Sequence, residues 1–202
     1  MIKNIIFDIG NVLADFTWES FLRNQGYDDA MVDKIAAASV HTKDWREYDR
    51  GILTSQEVVN LFVENDPSIK DVLIKAFSCL TGMVSRNDYA ISWIEELKSK
   101  GLKIYYLSNF SEQARYECSE ALDFIQYTDG GVFSFDSHLI KPDYEIYRYL
   151  LSKYGLQPEE SIFIDDTEIN IIAASELGFN TVHFKNLKEA QENILELIEK
   201  QQ

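Results

Sequence analysis

Short apolar runs alternate with amphipathic stretches along most of this chain. Residues 3–8, 103–108, 161–165 and 181–184 are rich in Ile, Phe, Tyr or Val and lack the polar alternation of a half-exposed strand. Residues 132–135 have the same character. Such runs predict strands buried on both faces, as in a parallel sheet. Between them the apolar period becomes helical. Residues 89–100 place Ile91, Ile94 and Leu97 on one stripe and stop at Gly101, a usual helix terminator. Residues 143–154 present Ile146, Tyr149 and Leu150 before Gly155, residues 168–177 stop at Gly178, and residues 187–200 read as a last amphipathic helix. Strands alternating with helices predict an α/β fold with a doubly wound, Rossmann-like parallel sheet.

Residues 16–85 break the alternation. They contain no convincing strand but five helix-like pieces, at 18–24, 28–38, 45–50, 55–63 and 68–80. Asp49-Arg50-Gly51 reads as a turn, and Thr54 with Glu57 three residues on reads as a capping box opening the next helix. The pattern predicts a helical domain inserted after the first strand, over residues 16–85, with residues 1–15 and 86–202 forming the α/β core. Trp18, Phe21, Trp45 and Tyr48 fall in this insertion, where most are expected to pack helix against helix and some to line a pocket.

Composition narrows the function. The 202 residues suffice for a sizeable core, and 46% hydrophobic content with three prolines fits a folded globule. With 34 acidic against 19 basic residues the net charge is −15, which argues against nucleic acid and anionic membrane as partners. No stretch approaches the roughly 20 apolar residues that span a bilayer, and the first residues do not read as a signal peptide. Cys79 and Cys118 stand far apart, outside any metal-ligand spacing, as reduced thiols do. A cytoplasmic protein, monomeric or a small homo-oligomer, is expected. His41, His138 and His183 are too scattered for a histidine metal site or triad.

Ligands of open α/β sheets bind beyond the carboxyl ends of the strands. The expected strands end there in Asp8, in Ser108, and in Asp165 followed by Asp166; Lys141 lies in the loop before a helix. A carboxylate, a hydroxyl, a lysine and a carboxylate pair on one edge form a phosphoryl-transfer set. Each also has a plainer reading: the Asp and Ser residues as helix or turn caps, Lys141 as a solvated loop residue.

Four segments in order resemble the haloacid dehalogenase-like (HAD) hydrolases: Phe7-Asp8-Ile9-Gly10-Asn11-Val12-Leu13; Leu107-Ser108-Asn109; Lys141-Pro142-Asp143 with Tyr147; and Phe163-Ile164-Asp165-Asp166 with Asn170, Ala173, Ala174 and Gly178. The insertion falls where that family carries a C1-type helical cap. The combination is most similar to the branch containing bacterial α-glucose-1-phosphate phosphatase. The resemblance implies a small phosphate monoester, such as a sugar 1-phosphate, as substrate. Asp8 is implied as the nucleophile that forms an aspartyl-phosphate. Ser108 and the Asn109 backbone N–H are implied to bind the phosphoryl oxygens, and Lys141 to offset their charge. A Mg²⁺ ion is implied on Asp8, the Gly10 carbonyl and Asp166, with Asp165 either a ligand or its neighbour and Asn170 steadying the site.

One position departs from the pattern. Most phosphatases of that family carry a second Asp two residues after the nucleophile, which protonates the leaving oxygen and activates water. Here it is Gly10. A positioned acid–base group is worth about 10² to 10⁴ in rate. Three outcomes are open: a leaving group that needs little help, a proton from elsewhere such as the cap, or a slow or silent protein used for binding. The metal-independent 2-haloacid dehalogenases also lack that Asp and are the enzymatic alternative.

Overall fold

The computed structural model describes residues 1–200. The chain opens with β1 (Asn4–Phe7) and a short strand β2 (Ala14–Phe16). Helices α1 (Trp18–Asn24), α2 (Asp29–Ala38), α3 (Lys43–Arg50), α4 (Ser55–Asn65) and α5 (Lys70–Ala76) follow, before β3 (Val84–Arg86) returns beside β2. The remainder alternates: α6 (Ala90–Ser99), β4 (Lys103–Ser108), α7 (Glu112–Glu117), β5 (Gly130–Phe133), α8 (Ser134–Ser137), α9 (Tyr144–Tyr154), β6 (Ser161–Asp165), α10 (Glu168–Glu176), β7 (Asn180–His183) and α11 (Leu187–Glu199). The central sheet is parallel throughout, in the order β5-β4-β1-β6-β7.

Both faces of the sheet are covered, which is why its strands read as unbroken apolar runs. Ile5, Phe7, Ile104, Ile162 and Ile164 face one layer, where Trp93 and Ile94 of α6 and Ile194 of α11 close over them. Ile6, Leu107 and Phe163 face the other, packed by Ile146, Tyr147 and Leu150 of α9 and by Ala173 and Ala174 of α10. Each such aliphatic or aromatic group stabilises the fold by roughly 1.5–3 kcal/mol relative to exposure. On α9 the buried tyrosine is Tyr147, while Tyr149 is 41% exposed. The stripe expected through Tyr149 is therefore shifted: Tyr147 lies next to Ile146, one residue beyond the i, i+4 row, and its ring packs on Phe163.

The insertion is helical, and its ends are not. β2 and β3 pair antiparallel, Ala14 opposite Arg86 and Phe16 opposite Val84, as a separate two-stranded ribbon. The helix expected over residues 68–80 is a 3₁₀ turn, Pro67–Ile69, followed by α5, and it stops at Ala76. Beyond it the Leu80 N–H donates to Glu117 Oε2 at 2.5 Å instead of to the helix ladder. The Thr54–Glu57 capping box forms as expected. Inside, Trp45 stacks on Phe62 with centroids 6.0 Å apart and meets Phe77 and Tyr48 edge-on.

The C-terminal end of α3 docks onto the core. Ser134 Oγ donates to the Asp49 carbonyl at 2.5 Å, and Tyr48 donates to Gln113 Oε1 at 2.5 Å. Gly51 ends the helix at φ +69°, and a Cβ there would stand 2.6 Å from Phe135 Cβ. No L side chain fits that approach. Gly51→Ala is therefore expected to lower stability by about 1–3 kcal/mol, read by urea denaturation, and to loosen the insertion from the core. A neutral result would show that Phe135 yields freely.

Candidate active site

A cavity of about 210 Å³ opens between the carboxyl edge of the sheet and the insertion. Asp8, the residue after β1, sits at its floor, 8% exposed, with its N–H bonded to the Ile164 carbonyl. Its Oδ1 accepts from the Ile9 N–H at 2.7 Å and pairs with Lys141 Nζ at 2.8 Å. Lys141 is buried and reaches Asp165 Oδ2 at 2.7 Å with the same ammonium. Burial pushes the Asp8 carboxyl upward, and Asp165 adds to that against the opposing pull of Lys141. Burial works to lower Lys141, but the two carboxylates outweigh it and hold its ammonium above the usual lysine range.

The sequence brings this lysine in through its main chain. Asn109 Oδ1 accepts from the Lys141 N–H at 2.8 Å, and Asn109 Nδ2 donates to the Lys141 carbonyl at 3.0 Å. The Asn109 side chain thus clamps the lysine loop, a contact that the sequence reading, which assigned only its backbone, did not contain. Ser108, expected to face the phosphoryl group, ends β4 at 1% exposure. The cavity wall beside it is formed by Asn109, Phe110 and Ser111.

The two adjacent carboxylates part company. Asp165 is fully buried and its oxygens are engaged by the Thr167 N–H at 2.8 Å, Asn170 Nδ2 at 3.1 Å and Lys141. Asn170 thus steadies Asp165, and Tyr147 in turn donates to the Asn170 carbonyl at 3.1 Å. Asp166 turns into the cavity, where Asn11 Nδ2 donates to its Oδ2 at 3.0 Å. Asn11 stands at φ +55°, a conformation its short polar side chain tolerates. One oxygen each of Asp8, Asp165 and Asp166 lies within 4.8 Å of the others. Three carboxylates face one buried lysine, an excess of negative charge that fits a hard divalent cation bound by oxygen.

A family model for haloacid dehalogenase-like hydrolases matches residues 2–178. The chain belongs to this family. Like other HAD-like hydrolases, it has relatives whose names state phosphatase activity. It is 25% identical to the sesquiterpene phosphatase astK of Aspergillus oryzae, over 90% of this chain and 89% of the relative. It is 26% identical to the D-ribitol-5-phosphate phosphatase of Bacteroides thetaiotaomicron, over 92% and 93%. The HAD family enzyme bt-2542 of Bacteroides thetaiotaomicron, solved in complex with magnesium and inorganic phosphate, superposes with a TM-score of 0.70 at 22% identity, covering 92% of this chain and 95% of that one. That likeness fixes the fold as a HAD-like core with a helical insertion after β1.

Trp45 lines the cavity of this HAD-like hydrolase, as expected of some aromatics in the insertion, and it is joined there by groups that were not legible in the sequence. Part of the lining is apolar, from Phe16, Trp45, Met83, Val84 and Phe110. The same cavity is lined by Asp49, from the last turn of α3. Burial, with the negative charge of Asp8, pushes its carboxyl up to about 7 against the pull of Lys141. Gly10 has open space around a built Cβ and no left-handed φ, so neither sterics nor backbone strain demands a glycine there.

Proposed function

We propose that this chain is a Mg²⁺-dependent phosphatase acting on a small phosphate monoester through an aspartyl-phosphate on Asp8. The observation that carries it is the donor set: the clustered Asp8, Asp165 and Asp166 carboxylates, against which the one ammonium paired among the described residues is that of Lys141, on Asp8 and Asp165. Residues 16–85 act as a cap domain on a core of residues 1–15 and 86–202. Asp8, Asp166 and the Gly10 carbonyl would hold the ion. Asp165, whose oxygens are already engaged, serves as the neighbour that aims Lys141. When bound, Mg²⁺ supplies the positive charge that binds phosphate oxygens and offsets charge developing in transfer.

The chain's own groups then divide the work. Lys141 holds Asp8 Oδ1 and so leaves Oδ2 as the attacking oxygen. The Lys141 ammonium also meets the phosphoryl oxygens as charge spreads over them. Asn109 fixes the lysine loop through its side chain, and its backbone N–H would bind the phosphoryl group together with Ser108. The cap excludes water during transfer. EDTA is expected to abolish phosphate release and added Mg²⁺ to restore it. Full phosphate release in EDTA would sink the metal assignment, whereas halide release from a 2-haloacid with no phosphate release in either condition would leave the metal-independent dehalogenase chemistry as the better account.

The alcohol carries two readings. Gly10 itself offers no proton, which would favour a sugar 1-phosphate, whose hemiacetal oxygen leaves with little help, as in the α-glucose-1-phosphate phosphatase branch, were no other residue to supply one. The apolar wall around Trp45 favours an alcohol with a hydrocarbon face. Rates on glucose 1-phosphate, ribitol 5-phosphate and farnesyl phosphate, each with Mg²⁺, separate them.

A further inference from the structure

We infer that Asp49 of the cap is the catalytic acid and base of this site, standing in for the carboxyl absent at position 10. The inference rests on the phosphatase reading above and adds the proton donor that reading lacks.

The cavity holds few groups able to exchange a proton, and all but one are committed. Asp8 is bound by Lys141 and the Ile9 N–H. Asp166 accepts from Asn11, and Lys141 bridges Asp8 and Asp165. Asp49 differs. Among the described residues its carboxylate takes part in no hydrogen bond or ion pair, although its backbone carbonyl is held by Ser134 Oγ at 2.5 Å. The neighbouring arginines, Arg46 and Arg50, lie 3.9 Å from Asp143 and leave Asp49 alone. A half-buried carboxyl with no partner is costly to a fold that gains nothing from it.

Its placement is built rather than incidental. Three contacts set the last turn of α3 on the core: Ser134 on the Asp49 carbonyl, Tyr48 on Gln113, and the close approach of Gly51 to Phe135. Together they carry Asp49 over the cavity from the cap side, while Asp8 rises from the sheet side. A phosphoryl group held between them has its nucleophile below and a carboxyl on the flank of its leaving oxygen. Burial first, and then the negative charge of Asp8, push that carboxyl up to about 7 against the pull of Lys141, a range in which it can both give and take a proton.

The steps balance. As Asp8 Oδ2 bonds to phosphorus, the bond from phosphorus to the leaving oxygen breaks and that oxygen takes the Asp49 proton. The alcohol departs, leaving aspartyl-phosphate and an Asp49 carboxylate. Water then gives its proton to Asp49 as its oxygen bonds to phosphorus and the bond to Asp8 breaks. Inorganic phosphate leaves, and Asp49 is again protonated. An acid placed on the cap acts only when the cap is seated, so proton supply and closure become one event.

Asp49→Asn keeps the size of the side chain and breaks no contact, so the fold is expected to persist. With ribitol 5-phosphate, whose alkoxide needs a proton to leave, kcat/KM should fall by about 10² to 10⁴. With p-nitrophenyl phosphate, whose phenolate leaves unaided, the first turnover should stay within about tenfold of wild type while later ones stall. The variant should then accumulate phosphoenzyme, visible by intact-protein mass spectrometry. Equal losses on both esters, or no loss on either, would overturn the role. Wild type that releases no phosphate from either ester with Mg²⁺ would overturn it together with the phosphatase reading, whereas normal wild-type turnover confines any failure to Asp49.

Discussion

Asp8→Asn is expected to leave a folded protein with no measurable turnover of any phosphate monoester. The amide cannot attack phosphorus, and it is a far poorer metal ligand than the carboxylate it replaces. The fold should survive because little else changes. An amide oxygen can still accept from the Ile9 N–H, and Lys141 keeps its second partner, Asp165, at 2.7 Å. Removing a buried carboxyl that burial already disfavours can even raise stability slightly. Phosphate release measured beside a thermal melt checks both halves. A folded variant that still turns over would place the nucleophile elsewhere.

Lys141→Met should be the most destabilising change at the site as well as inactivating. The ammonium is 2% exposed and is the shared partner of two buried carboxylates. Deleting one member of such a pair costs about 3–5 kcal/mol, because the other charge stays buried without compensation. The loss has a definite pH sign. Burial already pushes the Asp8 carboxyl up against the pull of Lys141, so without the lysine its anion is disfavoured further and its folded-state pKa moves still higher above the unfolded one. The penalty is present at neutral pH and shrinks as pH falls and the Asp8 carboxyl is protonated. Urea titrations of wild type and variant at two pH values, in EDTA, read this directly. A constant difference across pH would mean that the lysine acts by packing alone.

The order of elements was legible because the central strands are buried on both faces and so leave continuous apolar runs. β4 and β6 fall where the pattern places them, over Lys103–Ser108 and Ser161–Asp165. β5 lies two residues earlier than residues 132–135, since Gly130 and Gly131 carry no side chain to register as apolar and Phe135 is taken into α8. Strands as short as β2 and β3 leave no period to read. Residues 112–127 fold as α7 and a 3₁₀ stretch, Ser119–Tyr127, whose tight turns blur any single repeat.

The site was legible where chemistry sits at strand ends and illegible where it depends on chain-distant approach. Asp8, Lys141, Asp165 and Asp166 could be named because each follows or adjoins a recognisable run. Asp49 could not, since in sequence it is one acid beside a turn, 41 residues from Asp8. Only the docking of α3 on Ser134 brings it to the cavity. The division between Asp165 and Asp166 likewise needs the turn after β6, which buries one side chain and exposes the other.

The pairing of β2 with β3 has a consequence for how such a protein can change over time. Because Phe16 stands opposite Val84, residues 17–83 enter and leave through neighbouring rungs of one ladder. To the central sheet this long excursion is topologically a single hairpin turn. It can lengthen, shorten or be exchanged for another without altering the register of any core strand, at a closure entropy that grows only logarithmically with its length. Nucleophile and lysine therefore stay put while the excursion, with Trp45 and Asp49 on it, is free to diverge toward a different alcohol.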